Sequence, residues 1–174
     1  MTGDCHVRFW ERLRVRFPWS TRPLVKTHKK KALYGYLKFK AYQPVNVYCP
    51  ELDAIMGTEF RDGNVPAKMN LMQMLQVCVK GLPESIKQIY YRGDSASCQR
   101  DFMKAMASGT LVEDRGVIYF TVSALMNSHI KKLYSKIQES NWQTYNKTEK
   151  QEYVEVEYYE DWMTTLEPIR LLFI

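Results

Sequence analysis

From residue 32 to residue 50 the chain is rich in Tyr, Phe and Val with no helical period, and Val45, Val47 and Cys49 alternate strictly. Tyr34, Tyr36, Phe39 and Tyr42, then Val45, Val47 and Cys49, predict two extended segments joined near Gln43-Pro44. Pro50-Glu51-Leu52-Asp53 reads as a turn and Ala54 to Phe60 as a strand, so residues 45 to 60 form a hairpin, which Arg61-Asp62-Gly63-Asn64 stops. The period then changes. Pro66 suits a first helical turn, and Met69, Met72, Leu75, Gln76 and Val79 recur at three and four up to a stop at Gly81. Ile86 to Tyr91 is a strand ending at Arg92-Gly93-Asp94-Ser95, and Ser97 to Ser108 a helix closed by Gly109. Gly116 to Ala124 is a nearly continuous apolar run, the pattern of a strand covered on both faces. A basic amphipathic helix over His129 to Glu139 and strands at Tyr153 to Tyr158 and Ile169 to Ile174 complete the order, an α/β pattern with an antiparallel start.

Residues 1 to 23 differ from the rest. Arg12, Arg14 and Arg16 flank Leu13, Val15 and Phe17, which fits either a short strand or a basic arm. By count, residues 1 to 50 hold eleven Lys/Arg against two acids, and residues 139 to 174 three against eight. The net charge of +6 is therefore concentrated at one end, a candidate for polyanion contact. No stretch reaches eighteen consecutive apolar residues and no signal core is present, so the expected location is the cytoplasm and no membrane partner is implied. Cys5, Cys49, Cys78 and Cys98 form no C-x-x-C pair, and reduced structural thiols are the reading.

Candidate chemistry is sparse. Asp94 follows a strand at a turn that opens a helix, the place where open α/β sheets gather functional groups. A carboxylate there can hold Mg²⁺, or it can cap the following helix; the spacing leaves both open. Arg92-Gly93-Asp94 also matches an integrin-binding tripeptide, which requires export that nothing here signals. His6, His28 and His129 lack ligand spacing, and hydrolase-elbow, Walker and dinucleotide-binding patterns are absent. Lys29, Lys30, Lys31, Lys38 and Lys40, interleaved with aromatics, could contact DNA phosphates or simply line the wet face of two strands.

The run THKKKALYGYLKFKAYQPVNVYCPELDAIMGTEFRDGNVP, then IKQIYYRGDSASCQ, then GVIYFTVSA, resembles the catalytic region of bacterial insertion-sequence transposases of the DDE type. The paired G-Y-x-x-F-K-x-Y-Q-P and Y-R-x-D-S-A elements carry the likeness, which covers about residues 24 to 174. It implies an RNase H-like mixed sheet flanked by helices, in which three acids hold divalent metal while water and then a DNA 3′-hydroxyl attack phosphodiester bonds at transposon ends. Asp94 matches the second acid, and with it the metal-binding role; Arg92 and the five lysines are the expected DNA contacts. The implied partner is double-stranded DNA at transposon ends, with a possible homodimer in the full-length family.

Two departures stand out. Where the family carries a D-x-D-A-T-like strand end, this chain reads Trp19-Ser20-Thr21-Arg22-Pro23, and no Y-R-E-K-like glutamate occurs between Asn141 and Ile174. The expectation is an atypical basic leader over 1–23, a partial catalytic domain over 24–140 and the start of a β-rich insertion over 141–174. Such a truncated remnant would hold Mg²⁺ poorly and would not cleave DNA alone. The alternative is a DNA-binding or dominant-negative fragment that recognises transposon ends. A metal-dependent nuclease using Asp94 with Glu51, Glu59 or Asp62 is a third reading. The missing family strand should leave its place in the sheet either empty or filled by the leader.

Overall fold

The computed structural model describes residues 15–18, 25–35, 37–146, 151–163 and 169–174. Most of the leader, including Cys5, His6, Arg12 and Arg14, and the stretch 19–24 lie outside the described residues. The chain begins with β1 (Val15–Pro18), β2 (Val25–Lys26) and β3 (Ala41–Tyr42), followed by β4 (Val45–Cys49) and β5 (Ala54–Glu59). Then come α1 (Leu71–Lys80), β6 (Ile89–Gly93), α2 (Arg100–Ala107), β7 (Tyr119–Val122) and α3 (Ser128–Tyr134). β8 (Gln143–Asn146), β9 (Gln151–Tyr158) and β10 (Ile169–Phe173) end a mixed α/β architecture.

The expected hairpin is present: β4 and β5 pair antiparallel from Val45 opposite Glu59 to Cys49 opposite Ala54, with a bulge after Val47. Alternation decides which face goes inward, because Val45, Val47 and Cys49 are buried while Asn46 and Tyr48 stay partly wet. β6 is the middle of a parallel sheet in the order β1-β6-β7. Part of the leader, Val15–Pro18, pairs parallel along Ile89 to Arg92 and lies beside β4.

α1 packs Leu71, Leu75, Cys78 and Val79 against the β4–β5 hairpin, and α2 packs Phe102 and Met106 beside β7, in one core with Ile89, Tyr91 and Ile118. Each such side chain contributes about 1.5–3 kcal/mol of apolar burial. α1 comes very close to β5 at Gly57, where a Cβ would stand 2.8 Å from the Cys78 sulfur. Arg115 ties the two layers by donating to the carbonyls of Leu82, Pro83 and Ile86 just ahead of β6. A second, smaller core forms where α3 sets Ile130 against Val154, Tyr158, Leu171 and Phe173 of the antiparallel sheet β10-β9-β8.

Several expectations need correcting. Met69 precedes α1 and is 46% exposed, and the buried stripe starts at Leu71, because the turn after Pro66 places a left-handed Asn70 at the helix start. Gly81 ends α1 in an ordinary right-handed conformation, so it is not required there for its freedom; Gly109, at φ +73°, is required after α2. The helix expected over Ser97 to Ser108 is split into a one-turn 3-10 helix, Ser95–Ser97, and α2. β7 is a short edge strand whose Tyr119 is 38% exposed, not a strand covered on both faces. α3 ends at Tyr134, well before Glu139.

Candidate nucleic-acid interface

Asp94 is the first residue beyond the carboxyl end of β6, and its position is fixed from beneath. Tyr91 and Ser97, both buried, share a 2.6 Å hydroxyl hydrogen bond across the turn. Gly93 lies under that bond: a Cβ there would sit 2.2 Å from the Ser97 oxygen and 2.9 Å from the Tyr91 ring. Burial pushes the Tyr91 pKa up, offset in part by the Ser97 hydroxyl and reinforced by the charge of Asp94, so the phenol is a neutral partner. The Asp94 carboxylate accepts from the Ala96 backbone N–H at 3.0 Å, which caps the one-turn helix that follows. The capping role weighed for Asp94 is thus present, on a 3-10 turn and not on α2.

The carboxylate faces an open groove of about 1080 Å³ between the 66–73 segment and the start of α2. Lys68 and Arg100 line it together with the amides of Asn70, Gln73 and Gln99. Its outer wall is held by a buried cation. Arg61, 3% exposed, pairs with Glu59 at 2.8 Å and donates to the Ala67 carbonyl at 3.2 Å, while Glu59 also accepts from Asn70. An ion pair of this kind costs desolvation and repays it in geometry, here by pinning the 66–70 turn. A second concavity of about 420 Å³ shares Gln43, Pro66 and Ala67 with the first and runs on to Tyr34 and Gly35.

At that far end stands the basic segment. β2 and β3 pair as a short antiparallel ladder, and between them Lys29 to Ala32 form a turn that buries Ala32 and leaves Lys29, Lys30 and Lys31 exposed. Lys38 is exposed at a left-handed φ of 59°. Lys40 donates to the Lys30 carbonyl at 2.9 Å, and its ammonium lies 6.0 Å from the centre of the Tyr34 ring. The five lysines are therefore gathered on one hairpin, while Arg92, exposed on β6, sits at the Asp94 end.

The other acids named from sequence do not converge on Asp94. Glu51 lies in the β4–β5 turn beside Cys49, Glu59 is committed to Arg61, and Asp62 sits at a backbone bridge to Tyr42; none of the three lines the groove at Asp94. Among the described residues no three His, Cys, Asp or Glu side chains come together as a metal site. The donor set around Asp94 thus does not fit a two-metal centre, which needs several convergent carboxylates. β1 ends at Pro18, opposite Arg92, and residues 19–23, which follow it in sequence, include no acid. Lys68, Arg100 and the Tyr91–Ser97 pair were not singled out by sequence; the signal available for the last was a serine three residues after the aspartate.

A family model described as transposase DDE domain group 1 matches residues 20–165. No curated protein and no solved structure matches the chain. No helix among the described residues is long and apolar enough to cross a membrane.

Proposed function

We propose, from the premise that this chain belongs to the transposase DDE domain family, that it binds DNA at transposon ends and lacks strand-cleaving activity of its own. The observation that carries this reading is the pairing of a basic hairpin with the family aspartate, Asp94, beside which no three metal-ligating side chains gather among the described residues. Lys29, Lys30, Lys31, Lys38, Lys40 and Arg92 are the proposed phosphate contacts, which would set register on the duplex and make binding salt-sensitive. Asp94 is the counterpart of the family's second acid.

The RNase H-like class is part of the same proposal. The order β5-β4, then β1 beside β4, then β6 and β7, with helices α1 and α2 packed on the sheet, supports it. So does the seat of Asp94 at the end of a central parallel strand. In this scheme residues 24–140 are the partial catalytic domain and 141–174 the start of a β-rich insertion. Family members use divalent metal, for which Mg²⁺ is the proposed ion. With one carboxylate in place this chain would hold it weakly, and no cleavage step is assigned to it. Double-stranded transposon ends are the proposed partner, and a homodimer on those ends is the assembly the family resemblance implies.

The test is a supercoiled-plasmid nicking assay with Mg²⁺ beside a gel shift on terminal inverted repeats. The expected result is a salt-sensitive shift with no nicking. Mg²⁺-dependent nicking that disappears in Asp94→Ala would overturn the inactive reading, and a chain that shifts no DNA at low salt would overturn the binding reading.

A further inference from the structure

Two concavities described above are one track, because Gln43, Pro66 and Ala67 line both. The track begins at Tyr34, whose ring is 63% exposed under the Lys40 ammonium, and ends at Asp94. Its surface is of two kinds. The Asp94 end presents apolar side chains to solvent, Met69 at 46% and Leu125 at 65% exposure, while Lys68 and Arg100 supply cations there. Two acids, Asp94 and Asp101, also line that end and balance those two cations, so the surplus positive charge lies at the Tyr34 end on the lysine hairpin.

This combination suits one kind of ligand. A DNA duplex offers phosphates but keeps its base faces stacked inside, so it would leave an exposed aromatic ring and an apolar floor unused. An unpaired strand offers both, with bases that stack on an aromatic or rest on apolar side chains and phosphates that meet the cations. We propose that the track from Tyr34 to Asp94 binds an unpaired stretch of DNA strand, with Tyr34 as the stacking platform and Lys68 and Arg100 as phosphate contacts. The inference rests on the DNA-binding reading and adds the strandedness of the ligand and three residues that carry it. Duplex held on the lysine hairpin would pass its frayed or single-stranded end along the track toward Asp94.

Fluorescence anisotropy with the full chain decides it, using a blunt duplex and the same duplex carrying a single-stranded tail, each across a salt series. The expected result is tighter binding of the tailed probe. Tyr34→Ala should weaken the tailed probe by about five-fold or more and leave the blunt one within about two-fold, with Tyr34→Phe retaining tailed-probe affinity. Lys68→Glu and Arg100→Glu should each lower the magnitude of the tailed-probe salt slope by about one. Lys80→Glu, at the exposed end of α1 and off the track, should change neither slope nor preference. Thermal melting of each variant shows that the fold is kept. Equal binding of both probes, or tailed-probe affinity indifferent to Tyr34→Ala and Lys68→Glu, overturns the track while leaving the duplex reading intact. Failure to bind either probe overturns both.

Discussion

Gly93→Ala is the sharpest perturbation the structure offers, because the added methyl has nowhere to go. An ideal Cβ would stand 2.2 Å from the Ser97 oxygen, 2.6 Å from its Cβ and 2.9 Å from the Tyr91 ring, all within a buried patch. Something must move, and neither neighbour is the free end of a flexible chain. Overpacking of this kind costs about 1–3 kcal/mol. Loss of the Tyr91–Ser97 hydrogen bond adds about 0.5–1.5 kcal/mol. At roughly 2–4 °C per kcal/mol for a chain of this size, the melting temperature should drop by roughly 3–18 °C. Circular dichroism melts read it directly. The cause is isolated in a Ser97→Gly background, where the oxygen and Cβ in the way are both gone. There only the Tyr91 ring, at 2.9 Å, remains in the way, so Gly93→Ala should cost less than in the parent and the two changes are coupled. A Gly93→Ala protein that melts within about 1 °C of the parent would refute the reasoning, as would a cost that is the same in both backgrounds.

Three further outcomes follow from the same structure. Glu59→Ala strands the buried guanidinium of Arg61 and should destabilise by about 1–3 kcal/mol in urea titration, less than a fully buried pair because Glu59 is partly in water; Glu59→Ala with Arg61→Met should recover most of it, and no recovery would sink the idea. Gly57→Ala should cost about 1–3 kcal/mol by pushing the Cys78 sulfur away from β5, and Cys78→Ala should relieve that cost; an unrelieved cost points to the bulged strand instead. The Tyr158 pKa is pushed up to about 12, first by burial and then by its hydrogen bond to Glu160. Since an unfolded tyrosine titrates near 10, its contribution is complete below about pH 10 and is lost as pH rises toward 12; urea midpoints over this range should fall more steeply in the parent than in Tyr158→Phe, and parallel curves would contradict it.

Much of the central fold was legible because period-two and period-3.6 patterns are short-range and are imposed by which face must be buried. The β4–β5 hairpin, the α1 stripe from Leu71 to Val79 and the strand leading to Asp94 all follow that rule. What escaped sequence reading depended on partners far along the chain. β7 looked doubly buried by composition, but being an edge strand leaves Tyr119 in part to water. The groove was invisible for the same reason: Lys68 and Arg100 lie thirty-two positions apart and belong to different elements, and nothing local in either marks it as facing the other. Asp94 could be picked out, but its hydrogen bond to Ala96 and the Tyr91–Ser97 support beneath it depend on a 3-10 turn that a continuous helix reading smooths over.

On the proposed reading, the leader strand bears on how a chain of this family could seat Asp94 in a sheet without three metal-ligating side chains gathering among the described residues. Parallel pairing uses backbone N–H and C=O groups, which nearly any sequence supplies, so Val15–Pro18 can occupy a place beside β6 without resembling the family's strand. A metal centre makes no such allowance, since each ligand must be a particular side chain at a particular strand end. A strand substituted in this way would keep the seat of Asp94 at the end of β6 and the groove walls at the starts of α1 and α2, while Val15–Pro18 supplies no second carboxylate. On the proposed reading binding and cleavage part company here: the first needs distributed cations and an open track, which the described residues present, and the second needs convergent acids, of which no three gather among them.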